Sequence, residues 1–140
     1  MITISKKICN ILVSHAINVY PNEACGILAG PPQNAVDGKN WQAAEFFPMR
    51  NMDLSSISYF MDPREQLQVF KRIRELKLEM RGIFHSHVAS EAYPSQKDVR
   101  LAFYPDVSYL ILSLSDRDNP DLRSFQIQDE KVQEEEIKIV

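Results

Sequence analysis

Two short apolar runs, "ACGILAG" at residues 24–30 and "SYLILSL" at residues 108–114, set the strongest limit on how this chain can fold. Continuous apolar runs of this length, bounded by turn residues, are typical of strands that are covered on both faces. The first run is closed by Gly30-Pro31-Pro32, which begins a polar loop over residues 31–40. Because helical sequence lies between the two runs, we expect an α/β fold in which a mixed β-sheet is flanked by helices.

Weaker signals predict further strands and three helices. Apolar runs and alternating residues indicate strands at 2–5, 41–49, 57–61, 82–87, 122–128 and 134–140. The first helix begins after the cap Ser5 and ends at Tyr20, and the third covers residues 95–104. The second begins at Asp62, with Pro63 in its first turn and Glu65 completing a capping box. The apolar faces are expected at Ile8, Ile11, Leu12, Ala16 and Val19 in the first helix and at Leu67, Phe70, Ile73 and Leu76 in the second.

Length and composition exclude several classes of protein. The 140 residues suffice for one domain spanning 1–140 that needs no disulfides. The net charge of −3 argues against a nucleic-acid partner, and no apolar run approaches the ~20 residues of a membrane span. With no signal-peptide pattern at the N-terminus, we expect a cytoplasmic protein with no membrane partner, in which Cys9 and Cys25 are free thiols. The oligomeric state is left open.

The stretch "HSHVASEAYPSQKD" at residues 85–98 contains two of the three histidines. On a strand, His85 and His87 project from the same face, and Asp98 in the first turn of the next helix can return to them. Two imidazoles, one carboxylate and a fourth position for water form a catalytic zinc arrangement, in which the water pKa falls to about 7. The sequence therefore predicts a metal site at His85, His87 and Asp98.

Each of these signals has an alternative explanation. Ser95 and Asp98 also match a helix-capping pattern, although capping would hold both side chains in place for a site as well. Two histidines with one carboxylate also bind iron, so the ligand set alone does not select zinc. The zinc nucleobase deaminases carry H-x-E and P-C-x-x-C patterns, and these patterns are absent here.

A hydrolytic zinc site also needs a general base and a donor to the developing oxyanion. Glu23 is the candidate base, since it stands at the mouth of the strand at 24–30; the alternative is a solvated loop acid. The Ser95 hydroxyl is the candidate oxyanion donor. Cys25 is interpreted as a packed core residue and His15 as a boundary histidine outside the site.

Together, "NEACGILAG" and "HSHVASEAYPSQKD" resemble the JAMM (MPN-plus, JAB domain) zinc metalloproteases, particularly the short stand-alone bacterial members. The family signature, a glutamate in Glu-x-Cys-Gly followed by H-x-H-x(7)-S-x-x-D, is met completely. Similarity continues through "YFMDPREQ" and "YPDVSYLILSL" and so covers roughly residues 15–127. The sequence departs from the family pattern at two positions: Val88 stands where proline is frequent, and Ile57 stands where a Ser-Pro step is frequent. Neither departure removes a ligand, but both affect the expected geometry of the substrate groove.

The resemblance implies a cytidine-deaminase-like fold and assigns roles to residues. Zinc would be held by His85, His87 and Asp98, the equivalent of Glu23 is the general acid/base, and the equivalent of Ser95 stabilises the tetrahedral intermediate. Asn51 falls where the family often has an asparagine near the groove, which predicts a substrate contact; an asparagine turn explains it equally well.

The implied reaction is hydrolysis of a peptide or isopeptide bond after the C-terminal Gly-Gly of a ubiquitin-like sulfur-carrier protein. Either residues beyond Gly-Gly are trimmed, or cysteine is released from a carrier–cysteine adduct. Two alternatives stay open: a zinc peptidase acting on small peptides such as cell-wall fragments, and a non-catalytic MPN scaffold.

Overall fold

A computed structural model describes residues 1–33 and 40–140 and contains two sheets and three helices within them. The helices are α1 (Lys6–Val19), α2 (Pro63–Glu75) and α3 (Gln96–Arg100). The strands are β1 (Ile2–Ile4), β2 (Cys25–Gly30), β3 (Trp41–Gln42), β4 (Glu45–Met49), β5 (Glu79–His87), β6 (Ser108–Ser113), β7 (Asp121–Gln128), β8 (Lys131–Glu135) and β9 (Ile137–Ile139). None of the helices in these two ranges is long and apolar enough to cross a membrane.

The larger sheet has the strand order β4-β2-β5-β6-β7-β8 and is mixed. Strands β5 and β6 are parallel, whereas the other neighbours in this sheet are antiparallel. The smaller sheet has the order β3-β1-β9, with parallel pairs. Strand β5 therefore lies inside the larger sheet, and its last residues emerge between β2 and β6.

Apolar residues cover both faces of the larger sheet, which confirms the predicted mixed α/β fold. On one face, Leu12 of α1 packs with Phe84 and Leu110. On the other face, Ile73 of α2 packs with Ile27 and Ile111. Because successive strand residues point to opposite faces, His85 belongs to the α2 side, as its odd-numbered neighbour Ile83 does.

Strand β2 explains the glycine that follows Cys25. A Cβ atom at Gly26 would lie 2.5 Å from Cε1 of Phe46 and 2.6 Å from the backbone oxygen of Phe47. Only glycine therefore allows β4 to approach β2 this closely.

Most predicted strands are present, but three segments differ. The strand predicted at 57–61 is wrong, since this segment has only an isolated bridge between Asn51 and Met61. The run at 41–49 divides into β3 and β4, and the run at 134–140 divides between β8 and β9; in each case the chain crosses from one sheet to the other. The loop predicted at 31–40 lies mostly outside the described residues.

The helix caps at Ser5, Asp62 and Ser95 are confirmed, because each side chain accepts a backbone N–H of its first turn. The capping box at Glu65 is wrong: its Oε1 accepts the N–H of Arg50 at 2.7 Å instead.

Two residues of the predicted apolar helix faces are exposed, and Val19, Phe70 and Leu76 are half-buried. Ile11 and Leu67 are 39% and 71% exposed, whereas Ile8, Leu12, Ala16 and Ile73 are buried as expected. The third helix ends at Arg100 rather than at residue 104.

Candidate functional site

The C-terminal end of β5 carries two buried histidines. His85 and His87 are 1% and 4% exposed, and the strand's alternation directs both toward the α2 side. Their Nε2 atoms are 3.1 Å apart. The pair predicted from the sequence is therefore formed.

Asp98 reaches the two imidazoles from the first turn of α3. The Ser95 Oγ accepts the N–H of Asp98 at 3.1 Å, and the Ser95 N–H donates to Asp98 Oδ2 at 2.8 Å, which makes a complete capping box. The same Oδ2 lies 3.2 Å from His85 Nε2 and 3.1 Å from His87 Nε2. Asp98 thus takes part both in the capping box of α3 and in the contact with the two histidines. The capping box fixes the position of its carboxylate.

The spacing of these three side chains fits a metal ion. Their donor atoms all lie within 4.8 Å of one another. Donors about 2.1 Å from a tetrahedral zinc ion are separated by about 3.4 Å, close to the spacing of the three donor atoms here. His87 Nδ1 donates to the backbone oxygen of Glu91 at 2.8 Å, which leaves its Nε2 free to act as a ligand.

The local electrostatics favour the metal-binding forms of Asp98 and His85, but not of His87. Burial alone would raise the pKa of Asp98, but hydrogen bonds from both histidines and from the Ser95 N–H hold it well below its usual range. Burial lowers the pKa of His85, whose imidazole is therefore neutral at pH 7. Burial also opposes protonation of His87, but its bonds to Asp98 and to the Glu91 carbonyl raise its pKa overall. Metal ligands need an ionised carboxylate and neutral imidazoles, so protons compete for His87 in the metal-free protein.

Glu23 lies beside this group because of the register between β2 and β5. The register pairs Cys25 with His85, and continuing it back by two residues places Glu23 opposite His87. A bond of 3.0 Å from the Ser86 N–H to the Ala24 oxygen supports that extension.

The burial of Glu23 determines its acidity. The residue is 5% exposed, so the alternative of a solvated loop acid is wrong. Burial raises its pKa to about 7, with His87 acting in the opposite direction. A carboxyl with this pKa can both accept and release a proton at neutral pH.

Asn51 fixes the segment that covers Glu23. Its Nδ2 donates to the backbone oxygens of Glu23 at 3.1 Å and Ser58 at 2.9 Å. Its Oδ1 accepts the N–H groups of Asp53 and Phe60, each at 3.0 Å. The amide is therefore fully engaged inside the protein. Asn51 also lines a cavity of about 430 Å³ together with Glu23.

Cys25 and His15 are structural, as expected. Cys25 is buried, and burial raises the pKa of its thiol to about 12, so no thiolate forms at neutral pH. His15 Nε2 donates to the Cys25 backbone oxygen at 3.0 Å, and its ring packs against Phe46. Neither side chain joins the group formed by His85, His87 and Asp98.

Tyr59 contacts the candidate site but was not predicted from the sequence. The ring of Tyr59 stacks on the ring of His85, with centroids 4.6 Å apart and planes inclined by 24°. Tyr59 belongs to the segment at 57–61 that alternation assigned to a strand, and no local pattern indicates a contact with a histidine 26 positions later.

A cleft of about 220 Å³ opens beside Asp98. Its walls include the large apolar side chains Phe60, Leu101, Phe103 and Tyr104, all of which are substantially exposed. The cleft lies between the segment containing Tyr59 and the residues that follow α3.

Comparison with known families and proteins gives consistent matches. The family described as prokaryotic homologues of the JAB domain matches residues 5–128. The CysO-cysteine peptidase of Mycobacterium tuberculosis is 38% identical over 140 residues, which cover 100% of this chain and 92% of that protein. The desampylase of Haloferax volcanii is 33% identical over 94 residues, covering 66% of this chain and 63% of that protein. The solution structure of a Desulfitobacterium hafniense protein matches with a TM-score of 0.89 and 44% identity, covering 100% of this chain and 93% of that one.

Proposed function

Because the chain belongs to the family of prokaryotic homologues of the JAB domain, we propose that it is a zinc-dependent hydrolase of carrier-protein tails. Membership of this JAMM metalloprotease group makes it a peptidase. The bond we propose follows the C-terminal Gly-Gly of a ubiquitin-like sulfur-carrier protein, and it joins that terminus to cysteine or to further residues. The name CysO-cysteine peptidase, borne by a relative aligned over the whole chain, supports the cysteine adduct.

The convergence of His85, His87 and Asp98 beside the buried Glu23 is the observation that carries the proposal. A zinc ion held by the three ligands would supply a Lewis acid and a water molecule of lowered pKa. The ligand types also accept iron, but an adjacent carboxyl of raised pKa suits hydrolysis and favours zinc.

Glu23 acts as the general acid/base in this proposal. Its carboxylate accepts a proton from the attacking water and returns that proton to the leaving nitrogen. In the metal-free protein its pKa is raised to about 7, which brings the carboxyl into the range in which it can act as both a base and an acid.

Ser95 acts as the donor to the oxyanion that develops on the scissile carbonyl. Its Oγ accepts the Asp98 N–H, so the hydroxyl proton remains available for donation. Such a donor contributes about 10²–10³ in turnover in other hydrolases.

The apolar cleft beside Asp98 is suited to bind an extended carrier tail, with the scissile bond next to the candidate metal ligands. Its volume of about 220 Å³ accommodates a narrow peptide, which is the form of a C-terminal tail. Substrate contact by Asn51 stays a prediction, and the saturated hydrogen bonding of its amide favours a role in holding Glu23. We expect the enzyme to act in the cytoplasm, a location compatible with the free thiols of Cys9 and Cys25.

The test is cleavage of two purified substrates by zinc-loaded protein: a sulfur carrier extended beyond Gly-Gly, and a carrier–cysteine adduct. Wild type should cleave at least one of them, and Glu23→Gln should be slower by about 10²–10⁴-fold, because the proton transfer is lost. Glu75→Gln is the matched control, since Glu75 is exposed and its ion pair within residues 1–33 and 40–140 is with the exposed Arg72.

Three outcomes would contradict the proposal. Wild type could leave both substrates intact, or Glu23→Gln could cleave as fast as wild type. Equal cleavage of short unstructured peptides would support a small-peptide enzyme instead of a carrier-specific one.

A further inference from the structure

The two imidazoles of the candidate metal site are oriented by different means. His87 donates its Nδ1–H to the Glu91 carbonyl at 2.8 Å. The Nδ1 atom of His85 is buried and has no hydrogen-bond partner within residues 1–33 and 40–140. A ligating histidine normally donates its second ring nitrogen to an acceptor, which fixes the plane of the ring. The plane of His85 must therefore be fixed in another way.

Ring packing provides that constraint. Tyr59 lies nearly parallel to the His85 ring, with centroids 4.6 Å apart. The His87 ring meets His85 at an inclination of 61°, with centroids 4.9 Å apart. Rotation of the His85 ring about its Cβ–Cγ bond would drive its edge into the face of Tyr59, so the stack opposes the motion that a hydrogen bond usually prevents.

We propose that Tyr59 is a positioning residue for the metal ligand His85, with its ring face replacing the absent hydrogen bond. This inference rests on the proposed metal site and adds a residue that the ligand signature does not contain. Tyr59 acts through His85 and is not itself a ligand.

The backbone around Tyr59 is well placed to hold the ring in position. The Asn51 side chain accepts the Phe60 N–H and donates to the Ser58 oxygen, so it grips the residues on both sides of Tyr59. Tyr59 also packs against the apolar cluster on the α2 side of the sheet. The Tyr59 ring is therefore held in place and can restrict the orientation of the His85 ring.

The experiment measures zinc affinity by competition with a chromophoric chelator, together with the absorption spectrum of the cobalt-substituted protein. Tyr59→Leu removes the flat ring, and Tyr59→Met is a second variant with an unbranched side chain in case the first folds poorly. Tyr59→Phe keeps the ring and removes only the hydroxyl. Phe70→Leu is the matched control, because Phe70 packs in the same cluster and no ring contact joins it to His85 within the described part of the chain.

Tyr59→Leu and Tyr59→Met should lose about 10–100-fold in zinc affinity and alter the cobalt spectrum, as loss of a ligand's orienting partner does. Tyr59→Phe and Phe70→Leu should stay within about threefold of wild type, because both retain the stack. Thermal unfolding of the metal-free variants separates this loss from general destabilisation.

Wild-type affinity in Tyr59→Leu and Tyr59→Met would overturn the inference, as would an equal loss in Tyr59→Phe or Phe70→Leu. These results would leave the proposed function intact, because metal affinity is measured without a substrate. Failure of wild type to bind zinc would refute the proposed function itself, and the inference with it.

Discussion

In the metal-free protein at pH 7, the carboxyl group of Glu23 is about half protonated, because burial raises its pKa to about 7. The native state thus binds this proton more tightly than the unfolded chain, whose glutamate pKa is near 4.5. The stability that depends on the bound proton is complete below pH 4.5 and is lost as pH rises through 7. The buried carboxyl that we propose as the general acid/base therefore costs stability at and above neutral pH.

We therefore predict that Glu23→Gln stabilises the metal-free protein at pH 8 but not at pH 4.5. The neutral amide removes the cost of ionising a buried group, and the expected gain is roughly 2 kcal/mol. Urea unfolding of both proteins at several pH values measures it. The two free energies of unfolding should separate as the pH increases, and parallel pH profiles would contradict the prediction.

The candidate metal ligands and the proposed general base could be predicted from the sequence, whereas the residues that hold them in place could not. His85 and His87 are two apart on a strand, and Asp98 is three residues after its cap, so local periodicity brings out the ligand set. Glu23 could be placed at a strand mouth, but its burial could not be predicted, since the 51–61 segment folds over it. Tyr59 reaches His85 only through tertiary packing, which no periodicity encodes.

At the scale of elements, the short helix α3 supplies Asp98 to the candidate site, and its cap is Ser95. Helix α3 has five residues, none of them fully buried, and Val99 packs partly against the apolar cluster on the α2 side. Its placement depends on the capping box between Ser95 and Asp98. Losing the cap should therefore disturb the site more than the fold.

Ser95→Ala and Ser5→Ala form a matched pair that tests this expectation. Each removes a cap hydroxyl, from α3 and α1 respectively, and each should cost about 1 kcal/mol of stability. Only Ser95→Ala should lower kcat, by about 10²–10³-fold, because it also removes the proposed oxyanion donor. Steady-state kinetics and urea unfolding of both variants provide the measurements, and an equal kcat for the two would count against a role for Ser95.

The predicted strand boundaries are wrong where one continuous run of residues pairs with both sheets, as at 41–49. The Ala43 N–H donates to Thr3 in the smaller sheet, and the next N–H, that of Ala44, donates to Ala29 in the larger one. Strand propensity is continuous across this point, so the sequence gives no sign of the division. The segment at 57–61 failed for another reason: the Asn51 side chain takes backbone groups that a sheet partner would otherwise use.

At the scale of the whole molecule, β9 joins the C-terminal residues to the first strand. Ile2 pairs with Ile137 and Ile4 with Ile139, and the Val140 N–H donates to the Ile4 oxygen. Ile2 and Ile4 belong to the core beneath α1. That core therefore depends on residues from opposite ends of the sequence. The prediction of one domain over residues 1–140 is compatible with this arrangement and stays a prediction.

Deletion of residues 137–140 should consequently lower the free energy of unfolding by about 2–4 kcal/mol, since it uncovers core isoleucines and removes backbone hydrogen bonds. Lys138→Ala is the control, because it keeps the strand and changes only an exposed side chain. Urea unfolding followed by far-UV circular dichroism measures both variants. An unchanged midpoint for the deletion would show that β9 does not contribute to the core.

The Asn51 amide has a consequence for how proteins of this kind can diversify. It ties the backbone of Glu23 to that of the residues flanking Tyr59, while Leu54 and Ile57 of the same stretch project outward and are 76% and 84% exposed. Because neither outward side chain takes part in these hydrogen bonds, substitutions at Leu54 and Ile57 should leave Glu23 and Tyr59 in place. The inward positions of this stretch are therefore held by hydrogen bonds, whereas its outward positions are open to substitution.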